Sequence, residues 1–328
     1  MKKVLMGGGL IVLGLLCGTL AVGTEPRTVT LALDWTPNTN HTGIYVAREL
    51  GYFAEEGLTV EIVQPSPGIS ASLTGSGSVT FGVSMQEDVT MARAEGVPVV
   101  SIAAVVQHNT SGFAALAETG IRDVRDFEGK RYGGWGQRLE HEMIRTAMEG
   151  AGAAFDRVTF VNIGMIDSFT AARRRVADFF WIFYGWEGIS GELQGIDFSF
   201  LPLREMADVL DYYTPVIITS EAMIADDPET VRGFVRALSR GYAVAIDRLG
   251  EAAEILVRQV PELDAALVAA SQAWLSPRYT DEGTPWGAQA REVWVRFAEW
   301  ALANGLITET IDPDRAFTND FLPEEGEG

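Results

Sequence analysis

Leu31-Ala32-Leu33-Asp34-Trp35-Thr36-Pro37-Asn38-Thr39-Asn40-His41-Thr42-Gly43 is a strand that opens into a loop and closes into a helix. The apolar run from Val29 to Leu33 reads as a buried strand that stops at Asp34. The loop gathers an indole, two carboxamides, an imidazole and hydroxyls. Ile44 to Leu50 then starts a helix, with Thr42 as its expected N-cap. In open α/β sheets, ligands bind at loops beyond the carboxyl ends of strands. One large π-face beside several neutral hydrogen-bonding groups suits a flat, polar heteroaromatic molecule. The alternative is an ordinary strand–helix connection carrying a half-buried Trp, and the loop alone leaves both open.

Outward from this stretch, strand-like and helix-like segments alternate. Thr59–Val63 and Val79–Ser84 read as strands, Ile69–Leu73 and Val89–Ala94 as helices, and Val97–Val106 as a long apolar strand. Such alternation predicts βαβ crossovers and a largely parallel sheet. A gapless shift of 98 positions lays Val60, Ile62, Val63 and Phe81 on Val158, Phe160, Val161 and Phe179. Taken as a repeat, this echo means two similar α/β lobes; the alternative is the general likeness of any two βαβ segments. His108–Gly112 interrupts apolar sequence where the first lobe should end. Asp211–Pro215 precedes a strand, Val216–Thr219, that fits a return to it. The expected division is therefore 28–112 with 215–322 for one lobe and 113–214 for the other. Beyond Asp227-Pro228, helices are expected over Val231–Val244, Ala252–Val260, Leu263–Leu275 and Trp286–Ala303, and residues 323–328 as a disordered tail. Two lobes joined by two crossovers describe a clamshell, a shape that closes on a small ligand at the domain interface.

The 328 residues are enough for two domains, and 47% hydrophobic with 21% charged residues is a globular composition. Net charge is 25 − 45 = −20, which argues against nucleic acid or an acidic membrane surface as partner. Met1-Lys2-Lys3 followed by an apolar, glycine-rich run to Val22 reads as a secretory signal over residues 1–23. Two exits are open. Ala21-Val22-Gly23 resembles a small-x-small cleavage site, whereas Cys17, the only cysteine, sits where bacterial lipoproteins are acylated, although Leu16 before it is large for that motif. A single cysteine allows no internal disulfide. Either way the protein is expected to leave the bacterial cytoplasm.

Five loops at expected strand ends hold the unusual polar and aromatic residues. They are Asp34–His41, Ser84–Asp88, Gln107–Ser111, Tyr132–Gln137 and Phe183–Glu187. In the last, Tyr184 and Trp186 offer ring faces, Gly185 allows close backbone approach, and Glu187 is placed to accept from an amino-pyrimidine edge. The alternative has the two rings capping a core and Glu187 capping a helix. The glycines of Tyr132–Gln137 lack the GxGxxG and Walker spacings, and with Trp135 they suit an uncharged ring. His41, His108 and His141 have no zinc-motif spacing. Asp34, Glu87 and Glu187 lack a recognisable nucleophile partner, so they read as hydrogen-bond acceptors rather than acid–base groups. Neither a metal nor a cofactor is expected.

Asp34-Trp35-x-Pro37-Asn38-x-x-His41, Gly51-Tyr52-Phe53-x-x-Glu56-Gly57-Leu58, Gly75-x-Gly77-x-Val79-x-Phe81-Gly82 and Phe317-Thr318-Asn319-x-Phe321-Leu322 resemble the thiamine-pyrimidine-precursor family of solute-binding proteins. The likeness runs from about Thr28 to Leu322. It implies a type II periplasmic-binding fold, without catalysis, that delivers ligand as a monomer to an ABC permease and its ATPase. Relatives take formylaminopyrimidine-type thiamine precursors or riboflavin; the pyrimidine precursor is the leading expectation for this chain, with riboflavin as the alternative. The fungal branch is a pyrimidine synthase using pyridoxal phosphate. It has a lysine just after the Gly82-Val83 equivalent, where this chain has Ser84, and a cysteine-rich motif absent here. The resemblance thus implies a binder holding a small heteroaromatic ring through Asp34, Trp35, Asn38, His41, Gln86, Glu87 and Asn109 from one side. Trp135, Tyr184, Trp186 and Glu187 would close from the other. An enzyme acting on a pyrimidine and a ligand-gated sensor subunit are the competing classes.

Overall fold

A computed structural model describes residues 26–324 apart from Met165. Cys17, the apolar leader and residues 325–328 lie outside the described residues. The first sheet comprises β1 (Arg27–Ala32), β2 (Leu58–Val63), β3 (Phe81–Ser84), β4 (Val99–Ala104) and, from far along the chain, β10 (Val216–Ser220). The second comprises β5 (Ser111–Leu116), β6 (Arg131–Gly134), β7 (Thr159–Asn162), β8 (Phe179–Phe183) and β9 (Phe198–Pro202).

The strand orders are β2-β1-β3-β10-β4 and β7-β6-β8-β5-β9. Each sheet has parallel pairs on one side and a single strand running antiparallel to both its neighbours: β10 against β3 and β4, β5 against β8 and β9. These two strands directly follow the crossovers, residues 203–215 and 105–110. The 98-residue echo joins β2 to β7 and β3 to β8, strands at equivalent places in the two sheets.

Continuous burial explains the most apolar strands. Every residue of β3 and β4 is buried, as expected of strands covered by helices on both faces. The run from Val97 is shorter than its composition predicts: pairing spans Val99–Ala104. Pro98 uses its carbonyl to accept the Glu221 amide, and Val105 donates to Pro215 in the crossover.

Two helical expectations need correction. Thr42 is the first residue of the helix Thr42–Glu49, not its cap. A 3-10 turn, Thr39–His41, precedes it and is capped by Asn38, whose side chain accepts the Asn40 amide at 2.9 Å. The last long helix starts at Arg291 rather than Trp286. Residues 286–290 run alongside β4 instead, with Gly287 (φ +90) accepting the Ala104 amide and Trp286 stacked on Tyr242. Nearby, Asn319 exchanges two hydrogen bonds with the Gln289 backbone, and Phe317 stacks on Trp294, so the C-terminal motif fastens the chain's end beside β4.

Candidate functional site

Asp34, just past β1, accepts the His41 Nε2 proton at 2.8 Å. His41 Nδ1 accepts the Asn38 amide, which fixes the tautomer with hydrogen on Nε2. The imidazole is fully buried with both nitrogens engaged, so its effect on any ligand runs through Asp34. Trp35 is half-buried beside it.

At the end of β3, Ser84 leads into the helix Gln86–Ala94. The Gln86 amide donates to Tyr213 O, and its side chain accepts the Tyr213 amide while donating to Val293 O. Gln86 therefore ties the returning crossover to the helix Arg291–Ala303. Asn109 does the same between the crossovers, accepting from Ser111 and donating to Leu210 O. Glu87 is different. Its Oε1 accepts weakly from Tyr212 at 3.4 Å, and its Oε2 is buried without a partner. Burial pushes its carboxyl well above the usual carboxylate range, with the charge of Asp88 and, more weakly, Asp34 adding to that. Burial, and then Asp34, raises Asp88 to about 6. Ser84 Oγ and Thr214 Oγ1, on the adjoining ends of β3 and β10, are likewise buried and unpartnered. Buried polar atoms of native proteins normally have partners, which sets these three oxygens apart from the internally satisfied Gln86 and Asn109.

In the second lobe, Trp135 meets Trp181 edge-on at 5.5 Å, and Trp181 Nε1 is buried without an acceptor. Phe183–Glu187, expected as an open loop, is a π-helical turn over Tyr184–Gly188 that runs straight into the helix Ile189–Leu193. Glu187 closes the turn on itself, accepting the Phe183 amide at 2.9 Å, and burial lifts its pKa to about 7. Tyr184 packs on Phe200 and Trp274 and hydrogen-bonds Glu192. Trp186 lies against an apolar cluster of the first lobe. Two surface cavities, of about 310 and 170 Å³, both belong to the second lobe. The smaller is lined by Gly134, Gly136, His141 and Asn162. Neither includes a residue of the Trp35 loop.

The structure thus brings Asp34, Asn38 and His41 together, and sets Gln86 beside Glu87. It gives Asn109, Gln86 and Glu187 internal partners. Asp88, Thr214, Ser271 and Trp274 were not singled out by sequence reasoning, whereas Trp181 was read among the tryptophans near the cleft. Asp88 adjoins a residue that was singled out, but Thr214, Ser271 and Trp274 come together only through pairing of distant segments.

The sequence profile of proteins described as NMT1/THI5 like matches residues 38–252, well over half of the chain. The chain belongs to the NMT1/THI5-like family. Among relatives by sequence, a formylaminopyrimidine-binding protein of Halalkalibacterium halodurans is 30% identical over 89% of this chain and 90% of its own. A riboflavin-binding protein, RibY, of Chloroflexus aurantiacus is 29% identical over 90% and 86%. A 4-amino-5-hydroxymethyl-2-methylpyrimidine phosphate synthase of Legionella pneumophila is 28% identical over 93% and 95%. Among solved structures, the periplasmic aliphatic sulphonate binding protein SsuA of Escherichia coli superposes with a TM-score of 0.72 at 14% identity, over 91% of this chain and 94% of that one. At that identity the likeness concerns the fold, and this NMT1/THI5-like chain has the two-lobed α/β architecture of periplasmic binding proteins.

Proposed function

We propose that the chain is the exported solute-binding component of an ABC importer and captures a thiamine pyrimidine precursor, an aminopyrimidine, between its lobes. Full-length relationship to a formylaminopyrimidine-binding protein supports the role. The acidic strand ends carry the choice of ligand. Burial, then Asp88 and more weakly Asp34, push the Glu87 carboxyl up, and burial and Asp34 push Asp88 up, so three acids crowd this strand end and the charges that shift Glu87 and Asp88 are acidic. An aminopyrimidine, with its exocyclic amine and protonatable ring nitrogen, donates to such groups. The carbonyl-rich edge of an isoalloxazine donates through one imide N–H only. Riboflavin remains the second reading, favoured by the RibY likeness and by the indoles of Trp35 and Trp135. On this proposal Asp34, Trp35 and Glu87 contact the ring from the first lobe, and Trp135 and Tyr184 from the second. Asn38 and His41 hold Asp34 in place, and Gln86 and Asn109 hold the crossovers.

The family includes synthases, so the residues present must be weighed against pyridoxal phosphate, the group implied for the fungal branch. An aldimine anchor needs a lysine amine. The chain's lysines are Lys2, Lys3 and Lys130. Lys130 precedes β6, at the end of the strand opposite to Gly134, and its amine donates to Thr119 O. The residues do not fit that group.

Isothermal titration of the purified chain with formylaminopyrimidine and riboflavin tests the reading. Expected is one saturable site for the pyrimidine, with the ligand recovered unchanged by mass spectrometry. Asp34→Asn should weaken binding by roughly ten- to a hundred-fold, from about 1.5–3 kcal/mol for a hydrogen bond to a charged group. Tighter binding of riboflavin selects the second reading, and conversion of the pyrimidine refutes both.

A further inference from the structure

Trp186 is the single residue of the second lobe in a cluster otherwise drawn, among the described residues, from the first. The cluster is formed by Tyr45 on the helix Thr42–Glu49, Ala253 and Leu256 on Leu249–Gln259, Val260, and Val268 on Ala265–Leu275. The half-buried indole packs against these helices. One residue earlier in the chain, the Gly185 carbonyl accepts the Ser271 hydroxyl. Ser271 Oγ also lies 2.5 Å from Thr39 Oγ1, in the 3-10 turn of the Trp35 loop. A hydroxyl has one proton, and a carbonyl only accepts. Thr39 therefore donates to Ser271, which donates across the lobe boundary to Gly185. A Cβ added at Gly185 would stand 3.1 Å from the Trp274 ring, so the turn lies directly on the helix. Trp274 in turn packs on Tyr184, with Arg278 stacked on it at 3.7 Å.

We infer that Trp186, Gly185 and Ser271 form a fastener that holds the two lobes together before any ligand arrives. The inference rests on the chain's working as a two-lobed binder. Trp186 then acts through the closing equilibrium: it is a positioning residue, its ring lodged in the opposite lobe rather than laid on the ligand. Ser271 links that fastener to the Trp35 loop, so the loop that holds Asp34 also senses whether the rim is shut. Apparent affinity scales with the fraction of molecules in the competent conformation. Loosening the fastener lowers affinity without removing a ligand contact.

Small-angle scattering on the ligand-free chain provides the test, independently of which ligand is right. Wild-type profiles are expected to match the closed arrangement in which Trp186 packs on the first lobe. Trp186→Ala and Ser271→Ala should each enlarge the radius of gyration with an unchanged far-ultraviolet circular dichroism spectrum, and Trp186→Phe should restore compactness in part. With whichever ligand the titration identifies, Trp186→Ala should raise the dissociation rate about tenfold and leave the association rate within a factor of two. Ligand-free variants as compact as wild type would overturn the inference, leaving the ligand assignment untouched. Should Trp186→Ala fail to fold, Ser271→Ala, which deletes one hydroxyl, decides alone.

Discussion

Glu187 illustrates how a side chain suited to a ligand can be engaged by its own backbone. Its carboxylate accepts the Phe183 amide within the turn, and burial lifts its pKa to about 7 from an ordinary 4.5. Asp88 is raised to about 6 by the same cause. A carboxyl whose pKa is higher in the folded chain binds its proton more tightly there. The associated stability is complete below about pH 4 and is lost as pH rises through 6 to 7. Melting temperature is therefore expected to fall between pH 5 and pH 8. Glu187→Gln, which keeps the acceptor and removes the titration, should flatten that fall; an unchanged slope in calorimetry would remove Glu187 from the effect. His41 carries a related lesson. The Asp34–His41 spacing was legible as a polar loop, yet the hydrogen bond from the Asn38 amide that leaves the ring no free nitrogen depends on the 3-10 turn, which no local pattern announced.

At the scale of elements, β4 and β8 were legible because burial on both faces leaves a run almost wholly apolar, with Ser101 the one polar residue in β4, whereas β5 and β9 were not read as strands. The segment 286–290 misled because Trp286 and Trp294 fall at helical spacing. The bridge from Gly287 to Ala104 and the Trp286–Tyr242 stack outweigh that local preference. The helices Thr42–Glu49 and Pro228–Asp247 cross where two glycines meet. A Cβ added at Gly241 would lie 2.1 Å from the Gly43 carbonyl oxygen, and one at Gly43 would strike the Tyr242 ring. Backbone cannot swing aside as a side-chain tip can. Gly241→Ala is expected to push the pair apart at a cost of about 1–3 kcal/mol, a drop of several degrees in thermal melting. A melting point within one degree of wild type would show that the helices slide without penalty.

Across the whole molecule, the two-sheet plan was legible from the 98-residue echo and the two interruptions near His108 and Asp211. Contacts between the lobes were not. Ser271 and Gly185 are 86 positions apart, Thr39 and Ser271 232, and no periodicity marks either pair. The same separation predicts how damage spreads. A chain ending at Asp211 keeps all five strands of the second sheet but lacks β10. Such a fragment should show protected amides in β5–β9 by hydrogen exchange, with those of β1–β4 exchanging freely. Equal protection of both sets would mean that β3 and β4 find each other unaided.

That inserted strand also sets a timetable. β4 leaves the ribosome more than a hundred residues ahead of β10, the neighbour that sits between it and β3. For the whole of that interval the stretch holding β1 to β4 is an unfinished sheet with open margins, obliged to wait for sequence not yet made. A polypeptide that cannot settle early stays threadable, a useful property for any chain that must pass through a narrow channel before it takes shape.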